Sequence, residues 1–138
     1  MFGGNARQDY MVLNYLHSQV MVGASRGSWG QRDPQLTRAA LARPYYSAFG
    51  EDIYRDVYDK AAALMDAIIN NVVFRDGNKR TAVAAAALYL GLHEQVLDCS
   101  RNESDWFTYQ MVVRRPPVNE IADWLRSHTR PKRLPSTT

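Results

Sequence analysis

From Thr81 to His93 the chain runs 13 residues without a charge, reading Thr-Ala-Val-Ala-Ala-Ala-Ala-Leu-Tyr-Leu-Gly-Leu-His. Ala and Leu are among the strongest helix formers, and a helix that is apolar on every side has to be enclosed. The run is too short to cross a bilayer, which takes roughly 20 residues. It therefore belongs in the middle of a soluble bundle, with other helices wrapped around it. Immediately before it stand Asp76, Gly77, Asn78, Lys79 and Arg80, a carboxylate, a turn glycine, an amide and two cations in a row.

The rest of the chain supplies those other helices. Residues 8–22 carry Met11, Leu13, Leu16 and Val20 at helical spacing, and Gly23 ends them. Residues 24–31 contain two Gly and two Ser and read as a loop. Asp33-Pro34 is a helix start, an acceptor side chain followed by a residue pre-set for the first turn, and Pro44 closes that short helix. Residues 52–70 form a long helix with Ile53, Val57, Ala61, Leu64 and Ile68 on one face. Residues 105–114 and 118–127 give two more, parted by Pro116-Pro117. No alternating strand pattern stands out. The expected fold is all-α, about six helices around the central apolar one, with an uncertain, extended segment before the long helix.

At 138 residues, 46% hydrophobic and 22% charged, the chain fits one globular domain with a core of its own. Its boundaries are expected at 1–128, followed by a basic, frayed tail over 129–138. Residues 1–7 lack the apolar stretch of a secretion signal, and the lone Cys99 cannot form an internal disulfide. Both fit a cytoplasmic setting and no membrane. The net charge of +3 and pI near 9.2 invite a nucleic-acid reading. But Arg126, Arg130, Lys132 and Arg133 follow Asp123 with no acid among them, so the excess is a tail property. Without the tail the body is close to neutral, which weighs against nucleic acid as a partner.

The loop before the central helix has the chemistry of an anion site. Gly77 can take a positive φ and bring backbone close to a ligand. The first turn of the following helix offers unpaired N–H groups and the positive end of the dipole. Lys79 and Arg80 add full charges, and Asn78 a further donor. Asp76 is a poor phosphate neighbour alone but a sensible ligand for a Mg²⁺ that bridges phosphates. Phe74 anchors the loop. By itself, Asp-Gly-Asn is a common turn, and Lys-Arg after it an ordinary solvated helix start. The full constellation is more specific.

Val72-x-Phe74-x-Asp76-Gly77-Asn78-Lys79-Arg80-Thr81-Ala82 resembles the signature of the Fic/Doc (Fido) family, and of its death-on-curing branch in particular. That signature reads His-x-Phe-x-Asp/Glu-Gly-Asn-Lys-Arg-Thr-Ala. Arg32-Asp33-Pro34, Leu41-Ala42-Arg43-Pro44 and Lys60-Ala61-Ala62-Ala63-Leu64 occur in matching order, so the resemblance spans roughly residues 8–125. It implies Asp76 as the Mg²⁺ ligand, Gly77 and Asn78 as the anion hole, and Lys79 and Arg80 as phosphate contacts. It implies ATP or another nucleotide as co-substrate, and transfer of phosphate or AMP to a protein hydroxyl. Lys79, and Val83 where AMP-transferring members have a second Arg, place the chain with the phosphorylating branch, whose target is an elongation-factor-type GTPase. The segment holding Tyr45, Tyr46, Ser47, Phe49, Gly50, Glu51, Asp52 and Tyr54 matches the family's flap, which pairs with an extended stretch of the target. Packing would explain its aromatic residues equally well. Ser47 and Glu51 have the spacing of the family's inhibitory helix, but Asp52 follows and the match falls inside the flap. Restraint is then expected from a separate antitoxin.

One residue departs from the pattern. The family's general base is the His at the position of Val72, and a valine has no lone pair to take a proton. General-base help is typically worth about 10²–10⁴ in rate. His17, His93 and His128 are remote from the motif in sequence and read as surface or packing residues. The expectation is a toxin whose transfer chemistry is disabled while its phosphate site survives. Its alternative is a natural pseudoenzyme that binds nucleotide or antitoxin without transfer. The valine is either an introduced lesion or the natural residue.

Overall fold

The computed structural model describes residues 1–22, 30 and 32–133. Six helices carry the fold, as the sequence led one to expect. The first, α1 (Ala6–Val20), starts at a capping box in which the Asn5 side chain accepts from the Gln8 amide and Gln8 returns the bond. The second, α2 (Pro34–Ala42), is capped by Asp33, whose carboxylate accepts from the Gln35 amide. Gly23 and most of the 24–31 loop lie outside the described residues.

A 3-10 turn over Arg43–Tyr45 leads into a hairpin of β1 (Ser47–Ala48) and β2 (Glu51–Asp52). Helix α3 (Val57–Asn70) therefore begins five residues later than the expected residue 52. Asp56 is extended and spends its side chain on the Asp59 amide, which fixes the helix start there. Ile53, assigned to the helix's apolar face, belongs instead to the hairpin and is exposed.

After the motif loop comes α4 (Asn78–Leu92), then β3 (Gln95–Leu97) and α5 (Arg101–Arg114). Helix α5 starts earlier than expected because Ser100 and Glu103 form a second capping box. Helix α6 (Val118–Ser127) matches its expected bounds. Strand β4 (Thr129–Pro131) pairs antiparallel with β3, with Val96 opposite Arg130. The expected frayed tail thus does not begin at 129. Its first three residues are held by ladder bonds, and Arg130 also reaches Asp98 at 3.2 Å.

Two helices form the centre. Helix α4 packs on α3, α1, α5 and β3, but Val83, Ala84, Ala87 and Leu88 are only half-buried. The helix enclosed all round is α3, in which every residue from Ala61 to Ile69 is buried. Its small face, Ala61, Ala62, Ala63 and Ala67, lets α2, α4, α5 and α6 all pack against it. Leu64, Met65, Ile68, Phe74, Leu90, Met111, Ile121 and Leu125 fill the space between. No described helix is long and apolar enough to cross a membrane.

Candidate functional site

The loop that joins α3 to α4 is built by sequence on three levels. Val73 and Phe74 are fully buried and pull the loop into the core. Asn78 then closes a ring: its Oδ1 accepts from the Phe74 amide at 2.9 Å and its Nδ2 donates to the Phe74 carbonyl at 2.8 Å. Arg32 holds the other flank, donating to the carbonyls of Asn71 (3.2 Å) and Val72 (3.1 Å), while its own amide bonds Val73. With both backbone groups of a buried residue satisfied by one side chain, the loop has little freedom left.

Gly77 is the N-cap of α4, at φ 78°. A Cβ there would press on the Met21 sulfur at 2.9 Å and meet His17 Nε2 in ordinary contact at 3.5 Å. The positive φ is what favours glycine at this position. The amides of Asn78, Lys79 and Arg80 have no acceptor among the described residues, so the positive end of α4 opens unfilled. They open into a cleft of about 520 Å³ lined by Val20, Met21, Asp105 and Tyr109 together with Asp76 to Arg80.

The structure thus brings Asp76, Gly77, Asn78, Lys79 and Arg80 to one cleft. It changes the part Asn78 plays. The side chain expected to reach a ligand spends Oδ1 and one Nδ2 hydrogen on Phe74, while the Asn78 backbone amide lies at the cleft. Asp76 is exposed, with a single bond, 3.2 Å, from the Gly77 amide to its carboxylate. The exposed Lys79 ammonium has no partner among the described residues. Arg80 lies 3.7 Å from Asp105, both half-exposed, a pairing loose enough to yield to a stronger anion.

Val72 is 42% exposed and does not line this cleft. Its φ is 48°, a left-handed conformation in which a β-branched residue is an outlier. The flap residues stand apart from the cleft as well. Phe49 (φ 53°) and Gly50 (φ 79°) make the two-residue turn of the hairpin, and the Phe49 ring is fully exposed. Tyr45, Tyr46 and Ile53 are about half-exposed, so packing accounts for part of each side chain but for none of the Phe49 ring. Tyr54 differs: it is half-buried, its hydroxyl 3.3 Å from the Arg43 Nε, and Lys60 donates to its carbonyl. It anchors the hairpin rather than displaying it.

Sequence reasoning missed His17. The ring is 3% exposed, stacks on Phe74 with centroids 3.9 Å apart, and places Nε2 2.8 Å from the Asp76 carbonyl oxygen. A carbonyl only accepts, so Nε2 carries the proton and has no lone pair to offer. His17 thus touches the motif through its backbone, with its one proton directed at Asp76. His93 is exposed beside Tyr89, and His128 donates to the Trp124 carbonyl, both outside the cleft. The signal for His17 was its place four residues after Leu13, on the buried stripe of α1. Its partner lies 59 residues away and left no trace in local spacing.

Comparison with known proteins identifies this arrangement. A profile of the Fic/DOC family matches residues 8–90, from early α1 through the motif into α4. The chain belongs to the Fic/DOC family. Its Toxin Doc relative from Mycolicibacterium smegmatis (strain ATCC 700084 / mc(2)155) is 47% identical over 62 residues. That alignment covers 45% of this chain and 48% of the relative, so it spans about half the length of the curated protein. The matched region contains the whole run from Asp76 to Arg80 and the hairpin of β1 and β2.

Proposed function

We propose that this chain is a Doc-like toxin of a toxin–antitoxin pair, acting in the cytoplasm, with a nucleotide site that is intact and a transfer step that is disabled. The observation that carries the reading is the five-residue cradle from Asp76 to Arg80, facing one cleft, with Val72 at the position of the base. The cleft volume suits a nucleotide's phosphates and part of its nucleoside. ATP is the proposed ligand. Its phosphates would be held by the free amides of α4 and by Lys79 and Arg80.

The donor set also fits Mg²⁺. The described residues contain no group of three His, Cys, Asp or Glu able to hold a metal alone. One exposed carboxylate, Asp76, beside a phosphate site is what a magnesium ion shared with phosphates and water needs. When bound, the ion would neutralise phosphate charge. The chain's own residues do the rest: Gly77 admits the phosphate to the backbone, Arg80 and Lys79 orient it, and the flap presents the target. The hydroxyl proton then has no imidazole to take it, because Val72 is an alkyl group and the His17 Nε2–H is turned to the Asp76 carbonyl.

The proposed target is a translation factor of the elongation-GTPase type, the transferred group phosphate in preference to AMP, and the restraining partner a separate antitoxin. The deciding experiment incubates the chain and its Val72→His variant with Mg·ATP, labelled at either the γ or the α phosphate, and the elongation factor. Label transfer by the variant alone supports the reading, and the labelled position names the group. If the variant binds Mg·ATP yet transfers neither label, the chain is a nucleotide-binding module and the toxin reading is wrong.

A further inference from the structure

We infer that His17 is the positioning residue of the phosphate loop: its Nε2–H, bonded to the Asp76 carbonyl, sets the direction in which the Asp76 carboxylate and the amides of α4 face. This deepens the nucleotide reading above and rests on it for the ligand, but not for the geometry.

Two contacts place the imidazole, and a third restrains the loop beside it. It stacks flat on Phe74, with an interplanar angle of 4°, so the ring's plane is fixed by the residue that anchors the loop. Its Nε2 meets the Asp76 carbonyl at 2.8 Å, the one backbone acceptor between the anchor and the Gly77 turn to which α1 bonds. And at Gly77 a Cβ would press on the Met21 sulfur at 2.9 Å while only touching Nε2 at 3.5 Å, so the glycine backs directly onto α1 and its C-cap. Each contact restrains a different part of the loop. Phe74 fixes its depth, the carbonyl bond fixes the rotation of the Asp76–Gly77 peptide, and Met21 limits how far Gly77 can move toward α1.

A peptide unit is planar, so holding the Asp76 carbonyl toward α1 turns the Gly77 amide to the opposite side. The carboxylate of Asp76 and the free amides of Asn78 to Arg80 are then presented together to the cleft. Were His17 only a core filler, an apolar ring of the same size would serve as well or better, since a buried donor without its acceptor is costly. Its single donor is spent on the motif backbone.

The test separates ring from donor. His17→Phe keeps the stack and removes the donor, whereas His17→Gln removes the ring and keeps an N–H of similar reach. Calorimetric titration with Mg·ATP should show the unaltered chain binding, His17→Phe weakened at least tenfold at a melting temperature within a few degrees of the parent, and His17→Gln regaining most of the loss. Binding by His17→Phe within twofold of the parent overturns the proposal. If the unaltered chain binds no Mg·ATP, the nucleotide reading fails and His17 is judged by hydrogen exchange instead. Peptides covering residues 74–81 should then exchange several-fold faster in His17→Phe, with residues 61–69 unchanged; equal exchange in the loop overturns it. Should His17→Phe not fold, ring nitrogen NMR of the unaltered chain decides. A protected Nε2 proton on His17 is expected, and an Nδ1–H tautomer rules the positioning bond out.

Discussion

Two loops flank α3, and each holds one non-glycine residue in the left-handed region: Phe49 before the helix and Val72 after it. They keep that conformation by different means. Around Val72 the chain is over-determined, with Arg32 on its carbonyl, Asn78 closing on Phe74, and His17 beneath Asp76. Phe49 sits in its own turn, where two left-handed residues match the twist of a hairpin, and its ring is fully exposed. A strained backbone persists where its surroundings fix it or where the turn type demands it. The first case suits a cradle of fixed charges, since donors aimed in advance need no reorganisation when the anion arrives. The second suits a surface that must fit itself to another chain.

The largest expected effect tests what the motif loop lacks. Val72→His should raise label transfer by about 10²–10⁴, the usual worth of a general base, leaving Mg·ATP affinity nearly unchanged. Rates equal to the parent would mean that the loop is not merely missing its base.

Next comes the brace. Asn78→Ala unpairs both backbone groups of a fully buried Phe74, and should cost about 2–6 kcal/mol in urea unfolding, from roughly 1–3 per orphaned group. A loss below 1 kcal/mol would show the loop to be as loosely held as the flap.

Strain relief is smaller and should appear in both loops. Val72→Asn should stabilise the protein by about 1 kcal/mol, because Asn tolerates the left-handed region that a β-branched residue resists. Phe49→Asn, which makes the preferred Asn-Gly turn, should gain a similar ~1 kcal/mol while weakening target engagement. Thermal melts measure the first part, and target labelling in the Val72→His background the second. A destabilised Phe49→Asn would show that the exposed ring has a partner within the fold.

The smallest effect lies at the junction of flap and α3. Burial favours the neutral Asp56 carboxyl, but the Asp59 amide and the Arg126 guanidinium at 2.7 Å outweigh it and hold its pKa below the usual value. Its stabilising contribution is therefore complete above the ordinary carboxylate range and is lost as pH falls through the lower folded-state value. Asp56→Asn should flatten the acid limb of the stability profile in that range and leave stability near pH 7 only slightly reduced. An unchanged acid limb would detach Asp56 from the anchoring of α3.

Much of this was written locally. Asp33-Pro34, the Asp-Gly turn and the apolar run after Arg80 each signal their element through neighbours in the chain, and the helices followed. The signature residues from Asp76 to Arg80 are contiguous, so their common cleft was also legible. The start of α3 was misplaced because Ile53 and Val57 share helical spacing, and only the hairpin shows that Ile53 belongs elsewhere. The short β3–β4 ladder joins residues 34 apart at its centre, Val96 and Arg130, and has no alternation long enough to read. Ser100 and Glu103 did carry a readable capping signal.

By itself the sequence determined the helical class, the family and the make-up of the motif loop, because propensity, capping and a contiguous motif act over a few residues. It also supplied the ground for the proposed loss of the base, which needs only the identity of Val72. The tertiary structure alone decided that the Asn78 side chain braces Phe74, that the Phe49 ring is exposed, and that His17 reaches Asp76. Those outcomes depend on which buried groups meet across the core, and unpaired backbone at a buried loop takes whatever partner the fold delivers.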